Sequence, residues 1–181
     1  MRKFFTVVIG LLCVTFLGAQ VVPNGGFESW IEIDPDDWRT NNQTPYTFVS
    51  RSDDSHSGDY AAFGQAQYVD SSHLEKNVGP ELTSGAPVMG VIVDENYNEL
   101  TFYLKFDPGV NDTLLVSVRL TDDNYAALGI GEMKFHEAEA EYTLQTIPIT
   151  YETAGTATNA YIQFEIVNNL TGINTGLDSW F

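Results

Sequence analysis

The feature that most constrains the fold of this chain is a strict alternation of apolar and polar residues in three segments. In residues 99–106, 113–121 and 160–166, every second side chain is apolar. Successive side chains of a β-strand lie on opposite faces, so this pattern predicts strands with one face in a core and one in solvent. The predicted core residues are Leu100, Phe102, Leu104, Phe106, Leu114, Val116, Val118, Leu120, Ile162, Phe164 and Ile166.

Further strands are predicted between turn signals rich in Gly, Pro, Asp and Ser. They cover about 26–32, 46–51, 59–66, 73–78, 88–93 and 142–151. Pro148 lies within the last of these, and its missing N–H predicts an edge position or a bulge. Residues 131–142 are rich in Glu and Ala and are predicted to form a short helix or a solvated loop. About eight or nine short strands predict an all-β domain, a jelly-roll β-sandwich of two antiparallel sheets.

The first residues have the pattern of an export signal. Met1-Arg2-Lys3 is followed by an apolar run from Phe4 to Leu17 and then by small residues before Gln20. This run is shorter than the roughly 20 residues that a membrane-spanning helix needs. We therefore predict a signal peptide at 1–19, a single exported domain at 20–181, no membrane span, and a location outside the cell or on its outer surface.

Cys13 is the only cysteine of the chain, and it lies inside the predicted signal. The mature domain can therefore form no disulfide, although export would permit one. A lipoprotein signal with Cys13 as the lipid-bearing residue fits less well, because the large Leu12 stands where a small residue is expected. The mature domain must be stabilised by its packed core, with or without the help of a metal ion.

The mature domain is strongly acidic. Without the signal, six basic and 25 acidic residues remain, which gives a net charge of −19. Such a surface repels nucleic acid and anionic membranes, but it is compatible with divalent cations and neutral sugars. The charge is equally consistent with a role in solubility alone. Disorder is excluded, because 43% of the residues are apolar and 13% are aromatic.

No catalytic motif stands out in the sequence. The chain has no Gly-x-Ser-x-Gly elbow, no His-Glu-x-x-His pair, no phosphate-binding loop and no dinucleotide fingerprint. His56, His73 and His136 are scattered, and we expect them to be solvated or locally hydrogen-bonded. A glycosidase site made of two carboxylates stays open, since 25 acidic residues bring some pairs together by chance. The sequence predicts that the domain is not an enzyme.

Two acidic segments with glycines offer the oxygen ligands that hard cations require. They are residues 24–28, Asn-Gly-Gly-Phe-Glu, and residues 53–59, Asp-Asp-Ser-His-Ser-Gly-Asp. Glycine permits tight turns that direct carbonyl oxygens inward, and Ca²⁺ binds carboxylate, carbonyl and water oxygens. The spacing is not that of an EF-hand loop. On composition alone, acidic turns that face water explain these segments better.

The same segments resemble a known group of secreted bacterial domains. Residues 24–30, Asn-Gly-Gly-Phe-Glu-Ser-Trp, with 35–38, Pro-Asp-Asp-Trp, and then 54–61 resemble two signatures of jelly-roll modules with a galactose-binding-like fold. These modules include carbohydrate-binding modules of the family 4, 9 and 22 type. Other segments resemble the "putative carbohydrate metabolism domain" (PCMD) of exported glycan-use proteins, namely 100–108, 116–120 and 147–151. The resemblance spans most of residues 22–181 and implies a galactose-binding-like fold.

The resemblance also implies a structural calcium ion. In the binding modules, the Glu of the Gly-Phe-Glu motif often binds calcium together with oxygens of the Ser-Gly turn and an Asp of the final strand. Carried over to this chain, the metal ligands are Glu28, Asp54 and Ser57. The final-strand Asp normally follows an apolar pair such as Trp180-Phe181, and Asp178 is a poor substitute because it precedes that pair. We therefore expect a domain that is truncated at its C-terminal strand.

The solvent-facing positions of the regular strands carry the groups that a sugar site needs. A pyranose ring presents an apolar face to aromatic side chains and a rim of hydroxyl groups to polar ones. The predicted ligand-binding residues are Tyr103, Lys105, Arg119, Tyr161, Gln163 and Glu165. They share a surface only if their strands lie in one sheet, and ordinary cross-strand pairing on a solvated face is the alternative.

Together these observations predict a secreted, non-catalytic module that binds a polysaccharide or is otherwise associated with glycans. The alternative is a structural or adhesive cell-surface domain of a larger protein, exported by the type IX route and without a sugar site. The first hypothesis predicts exposed aromatic residues along a shallow groove, and the second predicts a flat polar face. The expected partners are a glycan and other domains of a longer chain, and not nucleic acid.

Overall fold

The computed structural model describes residues 22–71, 74–85, 90–109, 111–168 and 179–181. The predicted signal at 1–19, His73 and Asp178 lie outside the described residues. The strands of the described residues are β1 (Trp30–Ile31), β2 (Asp34–Pro35), β3 (Trp38–Thr40), β4 (Val49–Ser52), β5 (Ala61–Gly64), β6 (Gln67–Ser71), β7 (Leu74–Val78), β8 (Glu81–Ser84), β9 (Val91–Ile92), β10 (Glu99–Phe106), β11 (Asp112–Thr121), β12 (Ala127–Phe135), β13 (Glu139–Pro148), β14 (Thr150–Tyr151) and β15 (Asn159–Asn168). This part of the chain contains no helix, and therefore none that is long and apolar enough to cross a membrane.

The larger layer is an antiparallel sheet of seven strands. Its order is β14-β12-β11-β15-β8-β3, and β9 pairs with β15 as well. The central strand β11 pairs along its whole length with β15, from Asp112↔Asn168 to Thr121↔Asn159. Antiparallel pairing fixes which side chains share a face. In this register Val116 lies opposite Phe164, and both side chains point toward the core.

The second layer is built from the strand pairs β4–β5 and β10–β13, and β1–β2 and β6–β7 form two further pairs. The C-terminal residues lie between two of these pairs, because Trp180 is paired with Gln65 on one side and with Asp107 on the other. Phe102 of β10 contacts Phe164 of the larger sheet edge to face, with ring centroids 5.1 Å apart. The two layers therefore share one core, and the predictions of an all-β chain and a β-sandwich are confirmed.

The predicted alternation is confirmed in the regular strands. In β10, Leu104 and Phe106 are buried, whereas Tyr103, the residue before Leu104, is exposed and Lys105 between them is half-buried. In β11, Leu114 and Val116 are fully buried. Because both layers direct such residues inward, the apolar faces meet and exclude water, which is the main stabilising contribution to a fold of this kind.

The prediction of a short helix or loop at 131–142 is wrong. These residues form the end of β12, a short turn and the start of β13. Gly131 is buried opposite Val118 in the β11–β12 ladder, and an added Cβ there would lie 2.7 Å from the Pro148 carbonyl oxygen. The helix propensity of Glu and Ala is a weak preference, and the ladders of β12 with β11 and of β13 with β10 override it.

Pro148 lies where the chain passes from one layer to the other. It is the last residue of β13, and Thr150–Tyr151 then pairs with β12 in the larger sheet. The N–H of the next residue, Ile149, donates to the Asn98 carbonyl at 2.8 Å. The proline therefore ends one ladder just before the next begins, and its strand is an edge strand of the two-stranded β10–β13 sheet, one of the two predicted positions.

Leu→Ala substitutions at one buried and one exposed position test which side chains lie in the core. Leu114→Ala is expected to lower the free energy of unfolding by about 2–5 kcal/mol, because it removes a fully buried side chain and leaves a cavity. Leu144→Ala is the control, since Leu144 is 57% exposed, and it should change stability by less than about 0.5 kcal/mol. Urea unfolding followed by circular dichroism measures both. Equal effects of the two substitutions would contradict the assignment.

Candidate functional site

A deep cleft opens into the second layer between β10 and the loop that joins β4 to β5. Its volume is about 1660 Å³. The floor is apolar and includes Leu104, Val118, Ile162 and Phe164 from both layers. Aromatic and charged side chains surround the mouth. A cleft with an apolar floor and a few converging polar groups is the usual form of a binding site for small molecules and sugars.

The aromatic side chains at the mouth are in direct contact. The His56 imidazole stacks on the Tyr103 ring, with centroids 3.4 Å apart and an angle of 11° between the planes. Tyr142 meets the same imidazole edge to face, with centroids 5.9 Å apart. We call Asp54, His56, Tyr103, Lys105 and Tyr142 the rim cluster. It forms a broad aromatic surface that faces solvent beside charged groups.

The charged part of the rim cluster is an ion pair. Lys105 Nζ lies 2.7 Å from Asp54 Oδ2, and the Tyr142 hydroxyl donates to the Asp54 carbonyl oxygen at 2.6 Å. The hydrogen bond to Asp54 raises the pKa of Lys105, although partial burial opposes this. Burial raises the pKa of Tyr142, and the Asp54 carboxylate adds to the effect. The lysine is therefore positively charged and the tyrosine hydroxyl is protonated at neutral pH.

Glu28 holds the loop that supplies Asp54 and His56. Its carboxylate accepts hydrogen bonds from the backbone N–H groups of Asp59, at 3.1 and 3.2 Å, and of Tyr60, at 3.3 Å. Gly58 has a φ of +76°, which favours glycine, and a Cβ at this position would collide with the Glu28 carboxylate. The N-terminal segment is thus connected to the loop, as the resemblance of the two motifs implied.

The three predicted metal ligands do not form a metal site of the expected kind. The Glu28 carboxylate is occupied by backbone amides, the Asp54 carboxylate by Lys105, and Ser57 is exposed at the cleft. Within the described ranges, no group of three or more His, Cys, Asp or Glu side chains is arranged to hold a metal ion. Calcium usually takes six to eight oxygen ligands. The described residues alone therefore do not supply a calcium site, and calcium stays a prediction.

The six predicted ligand-binding residues are divided between the two layers. Tyr103 and Lys105 belong to the rim cluster. The remaining four lie on β11 and β15, on the face of the larger sheet that points away from the core: Arg119, Tyr161, Gln163 and Glu165. The pattern of alternation assigns each residue to a face, but it does not show which sheet its strand joins. The six side chains therefore do not line a single surface.

The four residues on the larger sheet interact with one another and with Glu81. The Arg119 guanidinium lies over the Tyr161 ring, 5.0 Å from its centroid. The Gln163 amide donates to Glu81 at 3.2 Å and to Glu165 at 3.3 Å. Burial raises the pKa of Glu165, and the negative charge of Glu81 opposite it in the ladder raises it further. This face therefore carries a second polar group of side chains, separate from the rim cluster.

Sequence reasoning missed two members of the rim cluster. His56 was expected to be solvated, and Tyr142 was assigned to the end of the helix or loop at 131–142. A strand at 139–148 paired with β10 would have placed Tyr142 near Lys105, because Thr143 lies opposite Leu104 in the observed register. No sequence signal indicated the stacking of His56, since it depends on a contact between distant segments.

Comparison with known proteins supports the fold at low sequence similarity. No protein-family model matches the chain, and no curated protein matches it in sequence. A solved structure from Bacteroides thetaiotaomicron, named a "putative glycoside hydrolase", aligns with 82% of the chain at a TM-score of 0.56 and 11% identity. The chain spans 61% of the length of that protein. The similarity establishes a shared β-sandwich fold.

The name of this neighbour contradicts the prediction that the domain is not an enzyme. That prediction relied on the absence of sequence motifs, and two carboxylates need no fixed spacing in sequence to form a glycosidase site. At 11% identity the likeness itself concerns the fold.

Glu165→Gln is expected to raise the free energy of unfolding at pH 7. The raised pKa of Glu165 means that the folded state binds a proton more tightly than the unfolded state, in which a Glu has a pKa of about 4.3. The protonated Glu165 carboxyl therefore contributes to the free energy of unfolding at low pH. This contribution is lost as the pH rises through the pKa of Glu165 in the folded state. The difference in free energy of unfolding between Glu165→Gln and the parent should therefore become smaller as the solution is acidified.

Urea unfolding of the parent and the variant between pH 7 and about pH 4 measures this difference. Glu132→Gln serves as control, because Glu132 is an exposed carboxylate on the same face of the larger sheet. A Glu165→Gln variant that is less stable than the parent at pH 7, or whose advantage grows on acidification, would contradict the assignment.

Proposed function

We propose that this domain binds a carbohydrate at the rim cluster. The observation that carries the proposal is the stacked pair of His56 and Tyr103 next to the Asp54–Lys105 ion pair, at the mouth of an apolar cleft. Aromatic rings offer flat apolar surfaces to the C–H face of a pyranose. The ammonium, the carboxylate and the Tyr142 hydroxyl offer donors and acceptors to the hydroxyl rim of the sugar.

The composition of the chain agrees with a neutral glycan as ligand. The mature domain has a large excess of acidic residues, so a polyanion would be repelled over most of its surface. Lys105 is one of only six basic residues outside the predicted signal. The proposal includes a role outside the cell or on its outer surface, as part of a glycan-binding module of the galactose-binding-like or PCMD type. The motif resemblance and the glycan-related name of the structural neighbour support it.

Tyr103→Ala is expected to weaken binding to a polysaccharide by about five- to tenfold, since loss of one aromatic contact surface costs roughly 1–1.5 kcal/mol. Affinity electrophoresis in gels that contain xylan, β-glucan, galactomannan or arabinan measures retention of the domain. Tyr68→Ala is the control, because Tyr68 has the same exposed fraction, 47%, and lies on β6.

Equal retention of Tyr103→Ala and the parent would show that the rim cluster is not the binding surface. A parent domain that none of these polysaccharides retains, and that a broad glycan array does not bind, would remove the proposal. The structural or adhesive role would then be favoured.

A second candidate function is hydrolysis of a glycosidic bond. Besides the name of the structural neighbour, the pair Glu81 and Glu165 favours it. The two carboxylate oxygens that Gln163 contacts can be no more than about 6.5 Å apart, the sum of its two hydrogen-bond distances. This limit includes the separation of about 5–5.5 Å found in retaining glycosidases. The raised pKa of Glu165 suits a general acid, and Glu81 would then act as the nucleophile.

If this second function is correct, Glu165→Gln and Glu81→Gln should each reduce the rate of glycoside hydrolysis by at least about a hundredfold. Release of reducing sugar from the same polysaccharides, and of nitrophenol from aryl glycosides, measures the rate. Glu132→Gln, on the same face, should retain the parent rate. Hydrolysis that survives both substitutions would exclude the pair as the catalytic residues, and binding without any hydrolysis would leave the first function alone.

A further inference from the structure

Asn24 and Gly25 form the one Asn-Gly pair in the sequence. Asparagine is a thermally labile residue, and it reacts most readily before glycine, which has no side chain to hinder attack by its own backbone nitrogen. In that reaction the Gly25 nitrogen bonds to Cγ of Asn24, and its proton leaves with the side-chain NH₂ group as ammonia. Water then opens the resulting succinimide ring at either carbonyl and gives an aspartyl or an isoaspartyl residue.

The fold engages both reacting groups in other bonds. Nδ2 of Asn24 donates to the carbonyl oxygens of Ser29, at 2.8 Å, and of Asp36, at 2.7 Å, and Oδ1 accepts from the Ser29 N–H at 3.0 Å. We call these three hydrogen bonds the Asn24 clasp. The Gly25 N–H donates to the Val22 carbonyl at 2.9 Å. The amide cannot turn toward the Gly25 nitrogen, and that nitrogen cannot lose its proton, unless these bonds break.

The turn itself favours this labile pair of residues. Asn24 has a φ of +44°, in the left-handed region that asparagine tolerates better than most residues. A Cβ on Gly25 would lie 3.0 Å from the Val22 carbonyl oxygen, which is closer than an ordinary contact. The local backbone therefore accounts for a reactive sequence at this position, and the clasp keeps it from reacting.

The Asn24 clasp also fixes the segment that carries Glu28. Ser29 follows Glu28 directly, and both of its backbone groups are bonded to Asn24. The Glu28 carboxylate in turn accepts hydrogen bonds from the backbone N–H groups of Asp59 and Tyr60. These two residues end the loop that supplies part of the rim cluster. The clasp therefore supports the loop through one intermediate side chain.

We propose that Asn24 is a site of spontaneous deamidation, which the folded domain protects and whose product releases the loop held by Glu28. A carboxylate only accepts hydrogen bonds, whereas the Asn24 amide donates two. An oxygen in place of Nδ2 repels the carbonyl oxygens of Ser29 and Asp36 and leaves them without this donor. The isoaspartyl product also places an extra carbon in the backbone, which alters the turn. Modification therefore opens the clasp permanently.

Protection is tested by incubating the parent domain at mildly alkaline pH, in native buffer and in guanidinium chloride at the same temperature. Peptide mapping separates the asparaginyl, aspartyl and isoaspartyl forms. The reaction at Asn24 is expected to be at least about tenfold slower in the native state, because it requires opening of the clasp. Asn24→Ser, which has no side-chain amide, is the control that identifies the product. Equal rates in the two states would overturn the protection.

The consequence is tested on Asn24→Asp, which reproduces the aspartyl product, by hydrogen exchange at the amides of Asp59 and Tyr60. Exchange at both is expected to be at least about fivefold faster than in the parent. Asn111→Asp is the matched control. Asn111 also has a left-handed φ, +64°, and it is exposed, and its side chain makes no hydrogen bond within the part of the chain that the structure describes. This control should leave both amides unchanged.

Unchanged exchange in Asn24→Asp, or an equal increase in Asn111→Asp, would overturn the connection between the clasp and the loop. If Asn24→Asp does not fold, Asn24→Ser takes its place, because serine retains only one side-chain donor. The same two amides should then also exchange faster, and unchanged exchange would again contradict the connection. Neither measurement involves a sugar, so the result is independent of carbohydrate binding at the rim cluster.

Discussion

Side-chain alternation along β10 is the constraint on which both the core and the candidate site depend. One face of the strand places Leu104 and Phe106 in the core, and the other places Tyr103 and Lys105 at the mouth of the cleft. A shift of the β10 register by one residue would bury Lys105 and expose Phe106. The free-energy cost of burying the charge would far exceed any gain from strand pairing. Burial of the core therefore fixes the positions of the aromatic and charged groups that face solvent.

The rest of the rim cluster comes from segments that are distant in sequence. Tyr142 is brought in by the β10–β13 ladder, and Asp54 and His56 by a loop that Glu28 holds through its backbone amides. The Asp54–Lys105 pair is largely solvated on the Asp54 side, so water weakens the attraction and the pair contributes little to stability. Its main effect is geometric, because it links the loop to the strand across the cleft.

Much of the fold follows from the sequence, because the three strands that build the core carry an unbroken period of two. The site follows only in part. Tyr103 and Lys105 were predicted to face solvent, but Arg119 and Tyr161 were grouped with them, since a period of two does not show which sheet a strand joins. The prediction for 131–142 is wrong because long-range pairing of β12 with β11 and of β13 with β10 outweighs local propensity. The stacking of His56 depends on tertiary contacts that no local pattern contains.

The most direct test of carbohydrate binding at the rim cluster is a nuclear magnetic resonance titration of the isotope-labelled domain with oligosaccharides of the polysaccharide that retains it. Chemical-shift changes should concentrate at His56, Tyr103 and Tyr142, and should be small at Arg119 and Tyr161 on the opposite layer. Changes confined to the outer face of the larger sheet, with none at His56 and Tyr103, would contradict the account and would move the site to the Glu81–Glu165 pair.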